Sequence, residues 1–192
     1  MSTKGIRKLE PKNLPPIAPS NEKLAELVVL VSRFSESDPL FGSIKLNKTL
    51  FFIDFLAYRT LGKPVTGQEY FALENGPALR YRARLWNAMQ KRKDIAVRKE
   101  PTVFDNDKER TLALRDPDVT KFSPNELGLI FKVIEALRTA TGRELSDLSH
   151  TLFGWQLSKE KETIPYSTAL VGQRKPTHAE IEYGLRLEAS LP

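Results

Sequence analysis

Few side chains in this sequence are spaced to make or break bonds. For His150, in Leu148-Ser149-His150, catalysis would need an oriented base and a nucleophile in reach, and no motif supplies either. There is no Gly-x-Ser-x-Gly elbow, no His-Glu-x-x-His and no Gly-rich phosphate loop. The chain has no Cys and two His, His150 and His178. That excludes disulfides, thiolate zinc, iron–sulfur clusters and a cysteine nucleophile, and argues against a multi-histidine metal site. We read His150 as a hydrogen-bonded, partly buried histidine and give His178 no role. No catalytic residue, metal site or cofactor is expected.

The charged residues point instead to binding. Arg80, Arg84, Asn87 and Lys91 recur at helical spacing and share one face of an expected helix. Between Arg80 and Glu100, eight cations meet two acids, a surplus that equals the net charge of +6 for the whole chain. The excess is therefore local, and it fits either an acidic protein surface or nucleic acid. On the preceding helix, Lys45 and Lys48 sit near the N-terminus, where positive charge is mildly unfavourable. Each is read as solvated, salt-bridged or held for a partner. Asp54, amid apolar neighbours, needs an internal partner or a solvent opening.

The elements that must carry these residues follow from periodicity. A first helix spans residues 21–34, capped by Asn21, with Leu24, Leu27, Val28 and Val31 at helical spacing. A second runs from about Lys45 to Leu61 and stops at Gly62, with Pro64 beyond. It is apolar on nearly every side, which marks a central, buried helix. A short strand around residues 70–73 and a turn at Glu74–Pro77 follow. Pro77 is expected to open a third helix reaching Lys91. A β-hairpin is expected over residues 95–115, turning at Asp105-Asn106-Asp107. Ser123-Pro124-Asn125-Glu126 starts a fourth helix, expected to end at Gly142. Short helices follow at about 143–151 and 154–158. Ile164-Pro165-Tyr166 reads as extended, and a last helix spans about 178–189, with a capping box at Thr177 and Glu180.

With 40% hydrophobic and 28% charged residues, the composition is that of an ordinary globular chain. Residues 1–20 hold four prolines and four basic residues without apolar periodicity, and read as a flexible basic arm. Residues 21–170 form the main domain, and 171–192 a C-terminal helix and tail. No apolar run of about 18 residues exists, so no membrane is expected, and the basic N-terminus has no apolar stretch behind it. A cytoplasmic protein is expected.

Lys45-Leu46-Asn47-Lys48-Thr49-Leu50-Phe51-Phe52-Ile53-Asp54-Phe55 resembles K-L-x-K-L-L-Y-F-x-D-F, the signature of the Panacea domain family, also called SocA-like or phage GepA-like. Gly62, Pro64, Thr66 and Gly67 resemble its G-x-P-I-T-G, and Tyr70, Ala72, Gly76 and Pro77 its Y-x-A-x-x-x-G-P. Downstream, Leu145 to His150, including Asp147, resembles L-S-x-L-S-H. Trp155, Pro165 and Tyr166 resemble the closing W…I-P-Y. The resemblance implies a mainly α (α+β), compact helical domain with a short strand and a β-hairpin.

The same resemblance implies a toxin–antitoxin or phage-associated function. Such a protein neutralises a cognate toxin by direct non-covalent binding, in one branch as a proteolytic adaptor. Most of the motif is then scaffold. Lys45, Lys48, Asp54, Arg80, Arg84, Asn87 and Lys91 are the candidate partner-binding residues. The alternative is a winged-helix-like nucleic-acid-binding module or transcriptional autoregulator, using the Arg80–Lys91 face and the hairpin.

Overall fold

The structure, a computed structural model, describes residues 17–101, 108–172 and 177–189. Residues 1–16 of the flexible arm expected over 1–20, and the hairpin turn at Asp105-Asn106-Asp107, lie outside the described residues. The protein is mainly helical, with two small antiparallel strand pairs.

Helix α1 (Asn21–Phe34) is capped by Ser20, whose hydroxyl accepts from the Lys23 N–H, one residue earlier than the sequence implies. Its apolar face, including Leu27, Val28, Leu30 and Val31, is fully buried. Helix α2 (Ser43–Leu61) is the centre of the molecule and packs against α1 and the helices that follow the hairpin. Leu46, Leu50, Phe51, Ile53 and Ala57 are inaccessible to solvent or nearly so. Gly62 ends α2 in the left-handed conformation at φ 77°, a geometry that glycine adopts without a Cβ clash.

The next segment departs from expectation. Strand β1 is only Tyr70–Phe71, and Pro77 does not open a helix. Residues Ala78–Leu79 form β2, antiparallel to β1, with Tyr70 opposite Leu79. Tertiary hydrogen bonds explain the difference. The Asn47 side chain donates to the Pro77 carbonyl and accepts from the Leu79 N–H, so backbone groups that a helix would satisfy are met extended. Helix α3 therefore starts at Arg82 and ends at Lys91. Arg80 lies before it, not on it.

Strands β3 (Ile95–Glu100) and β4 (Lys108–Ala113) pair in register from Ile95 opposite Ala113 to Glu100 opposite Lys108. Helix α4 (Pro124–Ala136) has the expected Ser123–Glu126 capping box but stops before Gly142. Gly142 instead opens α5 (Gly142–His150), because Thr141 and Glu144 form a second capping box just ahead of it. Helix α6 (Phe153–Leu157), a 3₁₀ turn at Tyr166–Leu170 and α7 (His178–Glu188) complete the chain. The expected box at Thr177 involves Glu180, whose side chain lies outside the described residues. No helix among the described residues is long and apolar enough to cross a membrane.

Candidate functional site

The signature side chains of α2 converge on the Gly76–Pro77 turn and the loop before β1. Lys48 donates to the carbonyls of Asn75 (2.6 Å) and Pro77 (3.0 Å). Gly76 sits at φ 88°, and a Cβ there would lie 2.3 Å from Ser149 Oγ and 2.5 Å from Lys48 Nζ. Glycine is thus required twice, by conformation and by space. His150 stacks on Trp155 at 4.0 Å, and the Trp155 indole N–H donates to the Leu73 carbonyl at 2.9 Å. The L-S-x-L-S-H and W segments thus grip the turn together with α2. The His150 Nε2 is buried without a hydrogen-bond partner among the described residues.

Asp54 is fully buried. It accepts from the Thr66 N–H (2.7 Å), the Thr66 hydroxyl and the Tyr70 hydroxyl (2.9 Å). Burial pushes its carboxyl up, and these hydrogen bonds oppose that shift. Asp54 thereby fixes the Pro64–Gly67 loop to β1. On the outer side of that loop, Gly67 lies against the Ala18 carbonyl and Ser20 donates to the Thr66 carbonyl. The end of the basic arm is thus seated on the domain. Tyr166 closes the aromatic cluster, stacking near Phe55 at 4.7 Å and donating to the Gln68 carbonyl at 2.7 Å.

Lys45, one turn ahead of Lys48, is 3% exposed and pairs with the buried Asp38 carboxylate at 2.7 Å. It also donates to the carbonyls of Arg138 and Ala140, both at 2.8 Å, just past the end of α4. A cation there complements the helix dipole and satisfies carbonyls of the loop that leaves the helix. Lys45, Lys48 and Asp54 are thus brought together by α2, but in the interior.

The basic residues divide differently. Arg80 is 3.4 Å from Glu69 and lies over the Phe71 ring. Arg82 lies over Trp86. Arg92 and Arg98 pair with Asp94 and Glu100 at 2.7 and 2.6 Å. Arg84, Asn87 and Lys91 are exposed along α3, and Arg84 and Lys91 form no ion pair among the described residues.

Sequence patterning missed two other arginines. Arg110 is buried and donates to the carbonyls of Ser35, Glu36 and Asp38, tying β4 to the end of α1. Arg115 holds Glu26 through two bonds of 2.6 and 2.8 Å, and Asp94 at 2.8 Å. Neither belongs to a recognisable motif. Their one sequence signal is a cation set in or beside an apolar strand.

Two open concavities flank this framework. One, about 570 Å³, lies between the start of α2 and the turn, bordered by Ile44, Asn47, Lys48, Phe71 and Arg82. The other, about 590 Å³, is apolar and runs between α2, α5 and α6, past Phe52, Leu56, Leu148 and Leu152. Among the described residues, no group of three or more acidic, His or Cys side chains is placed to hold a metal ion.

Residues 46–156 match the model of the family described as antitoxin SocA-like, Panacea domain. The chain belongs to the SocA-like Panacea family. The match begins at Leu46 in the signature helix and takes in the Gly76–Pro77 turn, the basic helix and hairpin, and α5 to Trp155, while Lys45, Pro165 and Tyr166 lie outside it. Comparisons with curated proteins and with solved structures find no match. Membership supports an antitoxin-like role, implies a toxin partner in general and suggests a non-enzymatic one.

Proposed function

We propose that the protein neutralises a cognate toxin by direct non-covalent binding. Family membership carries this reading. The placement of the motif supports it: these side chains hold turns and helix ends together, as a rigid binding scaffold requires. Exposed residues outside the motif core then supply the outer part of the contact surface. Arg84, Asn87 and Lys91 offer cations and an amide to an acidic patch on the toxin, where complementary charge speeds encounter and fixes orientation. The test is growth rescue. Reading frames flanking the gene are expressed singly, and any that arrests growth is co-expressed with this protein. Rescue with a co-purifying complex is expected. If no arrest is relieved and no stable partner is captured, the reading fails.

A second reading is nucleic-acid binding for autoregulation. Its support is that Arg84 and Lys91 on α3, Lys93 in the turn after it and Lys99 on β3 have no carboxylate partners among the described residues. The β1–β2 pair between α2 and α3 departs from a helix-turn-helix connection. A gel-shift titration across salt decides: affinity falling steeply with salt and weakened by Arg84→Ala supports it, and no binding at low salt defeats it. A proteolytic-adaptor role for the N-terminal arm is tested by deleting residues 1–16, which would abolish partner degradation while sparing partner binding.

A further inference from the structure

Lys45 and Lys48 are equally buried, at 3% and 2% exposure, yet only Lys45 has a countercharge. Burying an ammonium costs several kcal/mol unless an anion or a full set of acceptors compensates. The Lys48 ammonium carries three N–H donors. Asn75 and Pro77 carbonyls accept two of them, and the third forms no hydrogen bond among the described residues; the neighbouring Ser149 hydroxyl donates to the Ser146 carbonyl instead. No carboxylate lies within ion-pair distance of Lys48 among them either.

Lys48 also borders the 570 Å³ cleft, whereas Lys45 does not. The cleft has an apolar wall of Ile44, which is 55% exposed, and Phe71. Arg82 at its edge is a second cation without a carboxylate partner among the described residues. Two carboxylates, Glu74 and Glu160, border the cleft as well; both are exposed, and Glu160 lies 3.6 Å from Lys161. Their exposure leaves them screened by water, while the Lys48 charge is not. Arg82 begins α3, so the cleft is continuous with the helix that carries Arg84, Asn87 and Lys91.

We propose that this cleft receives an acidic anchor: an Asp or Glu side chain of the partner protein, whose carboxylate takes the open donor of Lys48 while its methylenes rest on Ile44 and Phe71. Arg82 closes over the carboxylate from the edge, and the cations of α3 steer the acidic surface around it. The partner supplies the countercharge that the fold omits, so the energy of pairing Lys48 appears as affinity rather than as stability. The inference rests on the toxin-binding reading and names the chemistry by which that partner is held.

The test has two arms. In the first, protein labelled with ¹³C at the lysine ε-carbons is titrated with N-acetyl-aspartate amide, and with N-acetyl-asparagine amide as control. The Lys48 ε-carbon signal is expected to move saturably with the acidic probe alone, and its titration midpoint to rise; the Lys45 signal stays still. Arg82→Ala weakens the response severalfold. A Lys48 signal indifferent to the acidic probe overturns the inference without a toxin being known. In the second arm, a toxin identified by rescue is bound to the wild type, Lys48→Met and Arg82→Ala. Each variant is expected to lose about tenfold or more in affinity, as truncating a desolvated charge contact does. Undiminished binding by both variants overturns the inference and leaves the toxin reading intact. Failure to find any toxin tells against that reading alone and leaves the first arm to decide. Arg82 is part-exposed, so its substitution keeps the second arm decisive if Lys48→Met does not fold.

Discussion

Two lysines on one helix, one turn apart and equally shielded from water, are treated in opposite ways. Around Lys45 the fold closes every bond: the Asp38 carboxylate and two carbonyls beyond α4 leave no donor unmet. Around Lys48 it supplies two carbonyls and a cleft, but no anion. The first arrangement is a lock between the loop after α1 and the end of α4. The second holds a turn and keeps one charge uncompensated beside an opening. Burial and sequence motif are the same in both, so neither separates a structural lysine from a recognition lysine. What separates them is whether the protein provides the countercharge.

Removing each lysine should divide them most sharply. Lys45→Met strands the buried Asp38 carboxylate, and breaking a buried pair in this way costs about 3–5 kcal/mol. For a chain of this size that lowers the melting temperature by roughly 10 °C or more. A variant melting like the wild type would mean that the Lys45–Asp38 pair is not a lock. Gly76→Ala comes next. Positive φ and the close approach of Ser149 Oγ and Lys48 Nζ give an expected loss of about 2–4 kcal/mol, read by urea denaturation. An unperturbed Gly76→Ala protein would show that the turn is looser than the three segments gripping it imply.

Lys48→Met tests the other half. Burial pulls the Lys48 amino group down from 10.5 to about 8. Between those values the unfolded chain holds more protons than the folded one, so wild-type stability gains from this group as pH rises from about 8 to 10.5. The gain amounts to roughly 3 kcal/mol at most. Below about pH 8 the folded protein carries the whole cost of the buried ammonium. The Met variant lacks this dependence, so the wild type should gain on it across that window, while at pH 7 the substitution costs far less than Lys45→Met. Denaturation of both proteins at pH 7 and pH 10 checks the sign. A stability gap that does not change with pH contradicts an uncompensated charge.

The distinction between the two lysines was not legible in the sequence. Periodicity located α1, α2, the hairpin and the capped α4, because amphipathic spacing and caps are local. The Panacea-like segments were legible as a set, and the cationic surplus of residues 80–100 as a stretch. Most of what failed depends on contacts distant in the chain. Pro77 has the local chemistry of a helix start, yet Asn47, thirty residues earlier, holds its neighbours extended. Gly142 looks like a stop, but Thr141 and Glu144 make it a start. The partners of Lys45 come from residues 38, 138 and 140, and Arg110 reaches back across the chain to the end of α1. No short window of sequence contains both ends of the bonds from Lys45 to residues 138 and 140 or from Arg110 to the end of α1.

The smallest stability effect is expected on α3, and it marks the outer limit of the comparison. Arg84 and Lys91 are exposed and lack carboxylate partners among the described residues, so replacing both with Ala should change stability by no more than about 0.5 kcal/mol. Their effect belongs to association. With a captured toxin, the double variant should lower the on-rate severalfold at low salt, and the difference should shrink as salt rises, because exposed charges act over a Debye length. Lys48→Met should act on the off-rate instead, with little salt dependence, since its charge is shielded from ions. Stopped-flow binding across a salt series separates the two. If both substitutions changed only the on-rate, Lys48 would be one more steering charge, and the contrast with Lys45 would reduce to a difference in internal packing.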